Sequence, residues 1–109
     1  MEVKETGYLK VLADLSFPED RIVINPNDGY DLGLMMTEAQ AHFYYGESPA
    51  TISSSGTDPI TGMVFQKNEC RLGTVELSTR SVEKLGTPTR VRLHLLPGES
   101  HPQLLIASE

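Results

Sequence analysis

The chain lacks most of the features that cross-link small proteins or attach them to membranes. Its 109 residues include a single cysteine, Cys70, which excludes an internal disulfide. There is no tryptophan, and aromatic residues make up 6% of the chain, so aliphatic side chains must do most of the packing. No apolar run approaches the ~20 residues of a membrane span, and the N-terminus does not resemble a signal peptide. These absences predict a cytoplasmic protein without a membrane partner.

Basic residues are also scarce, and their distribution is uneven. The net charge is −6, and residues 1–60 contain three bases against ten acids. Residues 61–109 contain six bases against five acids. This balance disfavours nucleic-acid binding by the surface as a whole, which needs a cationic footprint. The length and the 39% of hydrophobic residues predict one globular domain over residues 1–109.

The segment 73–96 predicts a strand, a short helix and a second strand. Ser78 or Thr79 is a suitable N-cap, and Gly86 is a suitable end for the helix. Apolar and polar residues alternate on both sides of it, as in half-buried strands. The alternating apolar positions are Val75, Leu77, Val91, Leu93 and Leu95.

The N-terminal half predicts a hairpin followed by a helix. Residues 7–15 and 21–25 are interpreted as strands, and the sequence PNDG at 26–29 as a tight turn. Residues 30–36 then alternate as a partner strand. Thr37 and Gln40 form a capping-box pattern that favours a two-turn helix, although its aromatic end at 42–45 would also suit a strand.

The next stretch, residues 47–62, has no periodicity and predicts an exposed loop. Residues 63–65 and 70–72 are expected to be the ends of two strands, and 104–106 a final short strand. Together these segments predict an α+β domain. Its sheet would be small and mostly antiparallel, with about six or seven short strands and one or two short helices.

Candidate chemistry is sparse. Cys70 lies in a strand-like context, so we expect a buried structural thiol rather than a nucleophile. The three histidines are isolated, and no metal site or cofactor is predicted. A small enzyme centred on His42, with Tyr44 or Tyr45 beside it, is one alternative because histidine titrates near neutrality.

The leading hypothesis is a small acidic, non-catalytic module that binds another protein. An inhibitor, an immunity protein, an assembly factor or a regulator would fit it. We expect the loop 47–62 to be its binding edge, with Ile52, Ser54 and Ile60 as contact residues. Edge strands of an open sheet would also allow a homodimer.

A second alternative is a dimeric nucleic-acid-binding regulator. Arg80 and Lys84 are four residues apart on the predicted helix, and Arg90 and Arg92 share the outward face of the next strand. They could form a basic strip that contacts a phosphate backbone or an acidic partner. The plainer interpretation is ordinary solvated faces, with the helical bases paired to neighbouring glutamates.

The same segment resembles, in outline, the strand–helix–strand core of AbrB-type swapped-hairpin DNA-binding domains. The matching residues are Val75, Leu77, Val82, Leu85, Gly86 and Val91. The turn usual after Leu-Gly is replaced by residues 87–89, and the first 60 residues have no counterpart. The pattern is common to strand–helix–strand units, so no family is assigned.

Overall fold

The computed structural model describes residues 4–46, 60–98 and 101–108, which form eight strands and two short helices. The strands are β1 (Lys4–Glu5), β2 (Leu9–Asp14), β3 (Arg21–Ile24), β4 (Glu38–Gly46), β5 (Ile60–Gln66), β6 (Thr74–Ser78), β7 (Arg90–Leu96) and β8 (Gln103–Ser108). The helices are α1 (Pro26–Asp31) and α2 (Thr79–Lys84). Neither has the length or apolar character to cross a membrane.

Seven of these strands close into a barrel in the order β7-β2-β6-β3-β5-β4-β8, and β8 pairs back onto β7. The pairs β2–β6, β3–β5 and β4–β8 are parallel, and the pairs between them are antiparallel. β1 adds to the edge of β7 beyond β2. The α+β class, with mostly strands, is confirmed. The prediction of a small, mostly antiparallel sheet is wrong. Parallel pairs between strands that are far apart in sequence help to close the sheet into a mixed barrel.

Alternate side chains of the strands fill the barrel interior. Phe43 is the largest fully buried side chain, and aliphatic residues from the other strands surround it. A barrel of this size is narrow enough for side chains alone to fill. The buried strand residues of this core are Leu9, Ile22, Ile24, Ala41, Phe43, Val64, Val75, Leu77, Val91, Leu93, Leu104 and Ile106.

The predicted strand–helix–strand unit is confirmed as β6, α2 and β7. The Ser78 hydroxyl accepts a hydrogen bond from the Ser81 backbone N–H at 3.1 Å, as an N-cap does. Gly86 follows the helix with a φ of +84°, the left-handed conformation favoured after a helix end. Val82 is buried in the core, so α2 packs into the barrel rather than lying apart from it.

The predicted hairpin at 26–29 is wrong, because these residues begin α1. The Asn25 side chain accepts a hydrogen bond from the Asn27 backbone N–H at 2.9 Å, and Pro26 occupies the first helical position. Gly33, with a φ of +73°, ends the helix. Residues 30–36 therefore do not form a strand, and the neighbours of β3 are β5 and β6 instead.

The predicted helix from Thr37 is also wrong, because residues 38–46 form β4. Ala41 and Phe43 are buried while Glu38 and Gln40 are exposed, which is the two-residue period of a strand. The boundaries of two other segments also differ from the prediction. Residues 60–62 belong to β5 rather than to the loop, and residues 70–72 form a turn rather than a strand end.

Gly62 marks a close approach between β5 and its surroundings. A Cβ atom at this position would lie 2.5 Å from the Asp20 backbone oxygen and 2.6 Å from a ring carbon of Phe43. A Cβ atom added to Gly7 would have no other heavy atom within 4 Å. We therefore expect Gly62→Ala to lower the free energy of unfolding by about 1–3 kcal/mol, and Gly7→Ala to have little effect. Urea denaturation of both variants measures this, and equal stabilities would contradict the packing at Gly62.

His94 and Thr6 hold β1 against β7. The Thr6 N–H donates to the Leu93 oxygen at 3.0 Å, and the Leu93 N–H donates to the Thr6 hydroxyl at 3.1 Å. His94 Nδ1 lies 3.1 Å from Glu5 Oε2. Burial lowers the pKa of His94 from its usual 6.5, Glu5 opposes that shift, and Arg92 adds to it.

This lowered pKa predicts a loss of stability at mildly acidic pH. As the pH falls through about 6.5, the unfolded chain takes up a proton on His94 before the folded chain does, so the free energy of unfolding decreases. We expect His94→Gln to reduce the difference in unfolding free energy between about pH 7 and pH 5. Urea titrations at both pH values measure it, with His42→Gln as the control. An unchanged difference in His94→Gln would show that other groups cause the effect.

Candidate binding surfaces

The four basic residues of the predicted strip lie in two places. Arg90 is level with Lys10 across the β2–β7 ladder. Helix α2 begins after Ser78, which is level with Asp14 at the other end of β2. Four residues along a strand correspond to about 13 Å, so the fold separates the helical bases from the strand bases.

The two helical bases have different surroundings. Lys84 forms an ion pair with Glu19, and its ammonium lies 5.5 Å from the centre of the Tyr45 ring. Arg80 lines a cavity of about 440 Å³ with Leu15 and neighbouring residues. Lys84 is therefore a paired surface residue, but its partner Glu19 is distant in sequence and is not one of the neighbouring glutamates of the plainer interpretation.

The two strand bases belong to a different cluster, which we call the cationic face: Tyr8, Lys10, Arg90 and Arg92. The guanidinium carbon of Arg92 lies 4.3 Å from the centre of the Tyr8 ring, and that of Arg90 lies 5.6 Å from it. Lys10 is the cross-strand neighbour of Arg90. The fold therefore brings two guanidinium groups to one half-exposed aromatic ring, with Lys10 opposite Arg90 on the neighbouring strand.

A second surface includes the end of α1 and the residues after it, and we call it the methionine surface: Tyr30, Met35 and Met36. These side chains are 79%, 92% and 69% exposed. Tyr30 and Met35 line a depression that shares Lys4 and Gly33 with a groove of about 420 Å³ between the end of α1 and the end of β7. The residues lining this groove are Lys4, Leu32, Gly33, Leu95, Leu96, Pro97 and Pro102.

Lys4 connects the groove to the methionine surface. It also lines an adjoining depression of about 520 Å³ with Tyr30 and Met35. Its ammonium rests against Gly33, where a Cβ atom would lie 2.7 Å from Nζ. Within the described ranges, no carboxylate forms an ion pair with Lys4. The groove thus combines apolar walls with the positive charge of Lys4, which pairs with none of the described carboxylates.

Of the predicted partner-contact residues, two lie outside the described residues, namely Ile52 and Ser54. Ile60 is the first residue of β5, is level with Phe43 across the β4–β5 ladder and packs against the core. Ile60 therefore lies in a strand rather than in the loop, and its role as a partner contact stays a prediction. The binding role of Ile52 and Ser54 stays a prediction.

His42, the centre of the enzyme alternative, lies on β4 beside β5 and β8. Its Nδ1 is 2.9 Å from the Thr61 hydroxyl, and its ring lies edge-on to His101 at 5.3 Å. The Tyr45 hydroxyl is hydrogen bonded to Ser81 at 2.9 Å. In the part of the chain that the structure describes, no carboxylate forms an ion pair with His42, and no group of three potential metal ligands occurs.

Cys70 is buried, as predicted. Its Sγ lies 3.3 Å from the Thr74 backbone oxygen, an orientation in which the thiol donates. Burial, followed by the nearby Glu76 and Asp28, raises the pKa of Cys70 to about 12. The thiol is therefore protonated at neutral pH and is not a nucleophile.

This environment predicts an unreactive cysteine. We expect Ellman's reagent at about pH 8 to detect no thiol in the folded protein and one thiol in urea, because an exposed cysteine titrates near 8.5. A rapid reaction of the folded protein would contradict both the burial and the raised pKa.

The sequence interpretation missed Tyr8, Lys10 and the methionine surface. Tyr8 and Lys10 alternate with the buried Leu9, so their outward position was available from the strand period. Their proximity to Arg90 was not, because it depends on the pairing of β2 with β7. The methionines were assigned to a partner strand, which concealed their exposure.

No protein-family model matches the chain. The same is true of the curated proteins and of the solved structures with which it was compared.

Proposed function

We propose that this chain is a non-catalytic protein-binding module that recognises its partner through the methionine surface. The observation that carries the proposal is the exposure of Tyr30, Met35 and Met36, three large apolar side chains within one short segment. Single exposed apolar residues are ordinary on protein surfaces, but grouped ones mark interaction sites. An inhibitor, an immunity protein, an assembly factor or a regulator would each use such a surface.

The chemistry of these side chains suits a protein partner. Fully burying a methionine side chain is worth about 1.5–3 kcal/mol, and tyrosine and methionine are enriched at the centres of interfaces. Methionine is unbranched and adapts its shape to an opposing surface. The adjacent groove can receive an apolar side chain between Leu32 and the end of β7.

The charge of Lys4 indicates which chemical group the partner would present. Its ammonium stands where the groove meets the depression beside Met35. Asp31 lines the same depression, so the local charge is mixed rather than strongly positive. A partner segment with apolar side chains and one carboxylate directed at Lys4 would match this arrangement.

The closed barrel bears on the alternative of a homodimer. Within the described residues, every barrel strand has a neighbour on both sides, and the open edge that remains is that of the two-residue strand β1, which pairs only with β7. A second copy bound through the methionine surface is an outcome of the experiment below.

The test compares two exposed apolar sites by substitution with lysine. A partner is captured from an extract of the source cells, purified and titrated against the wild-type chain and its variants. We expect Met35→Lys/Met36→Lys to weaken binding at least about tenfold, because charged side chains would have to be buried at the interface. Leu15→Lys is the matched control, since Leu15 is 89% exposed and lines a different cavity.

Two results would overturn the proposal. In the first, the double variant binds as tightly as the wild type, or Leu15→Lys binds equally poorly. In the second, sedimentation shows that the isolated chain dimerises and that the double variant does not, which would make a second copy the occupant. Thermal denaturation of each variant verifies that it is folded.

A further inference from the structure

The fold brings together two histidines that are far apart in the sequence. His42 lies on β4, and His101 lies just before β8, the parallel neighbour of β4. Their ring centres are 5.3 Å apart, and the rings meet edge to face at 66°. The backbone N–H of His42 donates to the Pro102 oxygen at 2.9 Å. This bond holds the two histidines side by side where β4 meets β8.

Both rings keep nitrogen atoms that have no partner in the described part of the chain. The ring of His42 forms one hydrogen bond there, between Nδ1 and the Thr61 hydroxyl at 2.9 Å. His42 Nε2 and the two ring nitrogens of His101 form no hydrogen bond or ion pair with the described residues. Both side chains are half-buried, but none of these three nitrogens is shut off from solvent. They are therefore accessible to a ligand.

Thr61 determines which nitrogen of His42 is available. Thr61 is level with His42 across the β4–β5 ladder, so the two side chains share the outward face of the barrel. When Nδ1 carries the ring proton and donates it to the Thr61 hydroxyl, the lone pair of Nε2 is free. Metal-binding histidines are commonly oriented in this way, through a hydrogen bond from the other ring nitrogen.

We propose that His42 and His101 form a binding site for a divalent metal ion that prefers nitrogen ligands, such as Zn²⁺. Neutral imidazole suits zinc, copper and nickel. A zinc–nitrogen bond is about 2.0–2.1 Å long, which puts the ring centres of two imidazoles on one tetrahedral ion about 5 Å apart. The distance of 5.3 Å between the two rings fits this arrangement.

The site has fewer protein ligands than a structural zinc site. In the ranges 4–46, 60–98 and 101–108, no third histidine, cysteine or carboxylate joins the two histidines in a metal-binding group. Water would therefore occupy the remaining positions of the ion, and the affinity would be lower than that of a site with four protein ligands. The site shares no residue with the methionine surface and does not depend on the proposed function.

A bound ion would act as a clip between two strands that close the barrel. His42 belongs to β4, and His101 stands at the start of β8, which pairs with β4 and β7. A metal clip between residues that are distant in the chain removes more entropy from the unfolded state than one between close neighbours. Because the unfolded chain does not hold the two rings together, zinc would bind the folded chain more tightly and raise its free energy of unfolding.

Zn²⁺ alone is the probe for this site. The chain is titrated with zinc chloride in the presence of excess Mg²⁺, which prefers oxygen ligands. Binding is followed by calorimetry and by the ring proton resonances of the histidines. We expect saturable binding of one ion, with the resonances of His42 and His101 shifting together.

Matched substitutions of the three histidines locate the bound ion. His42→Gln and His101→Gln should each weaken zinc binding at least about tenfold, because one imidazole ligand is lost. His94→Gln is the control, since His94 lies on β7 against Glu5, and it should bind zinc as the wild type does. A loss in only one of the first two variants would overturn the shared site.

Substitution of Thr61 tests the orientation of the His42 ring. Thr61→Ser keeps the hydroxyl and should bind zinc as the wild type does, whereas Thr61→Val removes it and should bind several-fold more weakly. Thr61 is exposed, so neither change alters the core. Equal affinities of Thr61→Val and the wild type would show that the hydroxyl does not position the ring.

Urea denaturation with and without zinc tests the clip. At saturating zinc, the wild type and His94→Gln should unfold at a higher urea concentration, while His42→Gln and His101→Gln should show no such shift. The titrations without zinc verify that each variant is folded, and the ring shifts of the wild type test the site even where a variant is not.

Two further results would overturn the proposal. If zinc does not saturate the wild type, or shifts only one of the two rings, the histidines form an aromatic contact alone, which has a similar separation. If His94→Gln loses as much affinity as the other two variants, the binding is a general attraction of zinc to histidine.

Discussion

The barrel depends on the insertion of β8 between β4 and β7. Without β8 these two strands would each present an open edge, and the core would lose Leu104 and Ile106. Because β8 pairs in parallel with β4 and antiparallel with β7, it fixes the register of two strands that are distant in sequence. In that register Phe43 is level with Leu104, and Leu93 is level with Ile106. All four side chains therefore lie in the barrel interior.

Closure also determines how the molecule can bind anything. A sheet with open edges recruits partners through its backbone, but a closed barrel offers only outward side chains and the segments that connect its strands. The cationic face and the methionine surface are one of each kind. The cationic face is built from outward positions of neighbouring strands, and the methionine surface from the end of α1 and its connection to β4.

The sequence specified those elements whose signals were both periodic and capped. In β6–α2–β7, alternation, the Ser78 cap and Gly86 all indicated one structure. Around Asn25 and Thr37, by contrast, the same residue types occur in helices, turns and strands. The local sequence pattern therefore predicted the wrong element at both places. The closure of the barrel could not be predicted from local sequence patterns. Three of its seven ladders are parallel and join segments that share no turn.

The same distinction explains how much of each surface could be predicted. Arg90 and Arg92 were placed on one face by the strand period alone, and the structure keeps them together. Their association with Lys10 rather than with Arg80 and Lys84 follows from register, which the barrel fixes by burying Leu9 level with Val91. A shift of one residue in this ladder would turn Lys10 into the core. The free energy that buries Leu9 and Val91 therefore also maintains the grouping of charge on the cationic face.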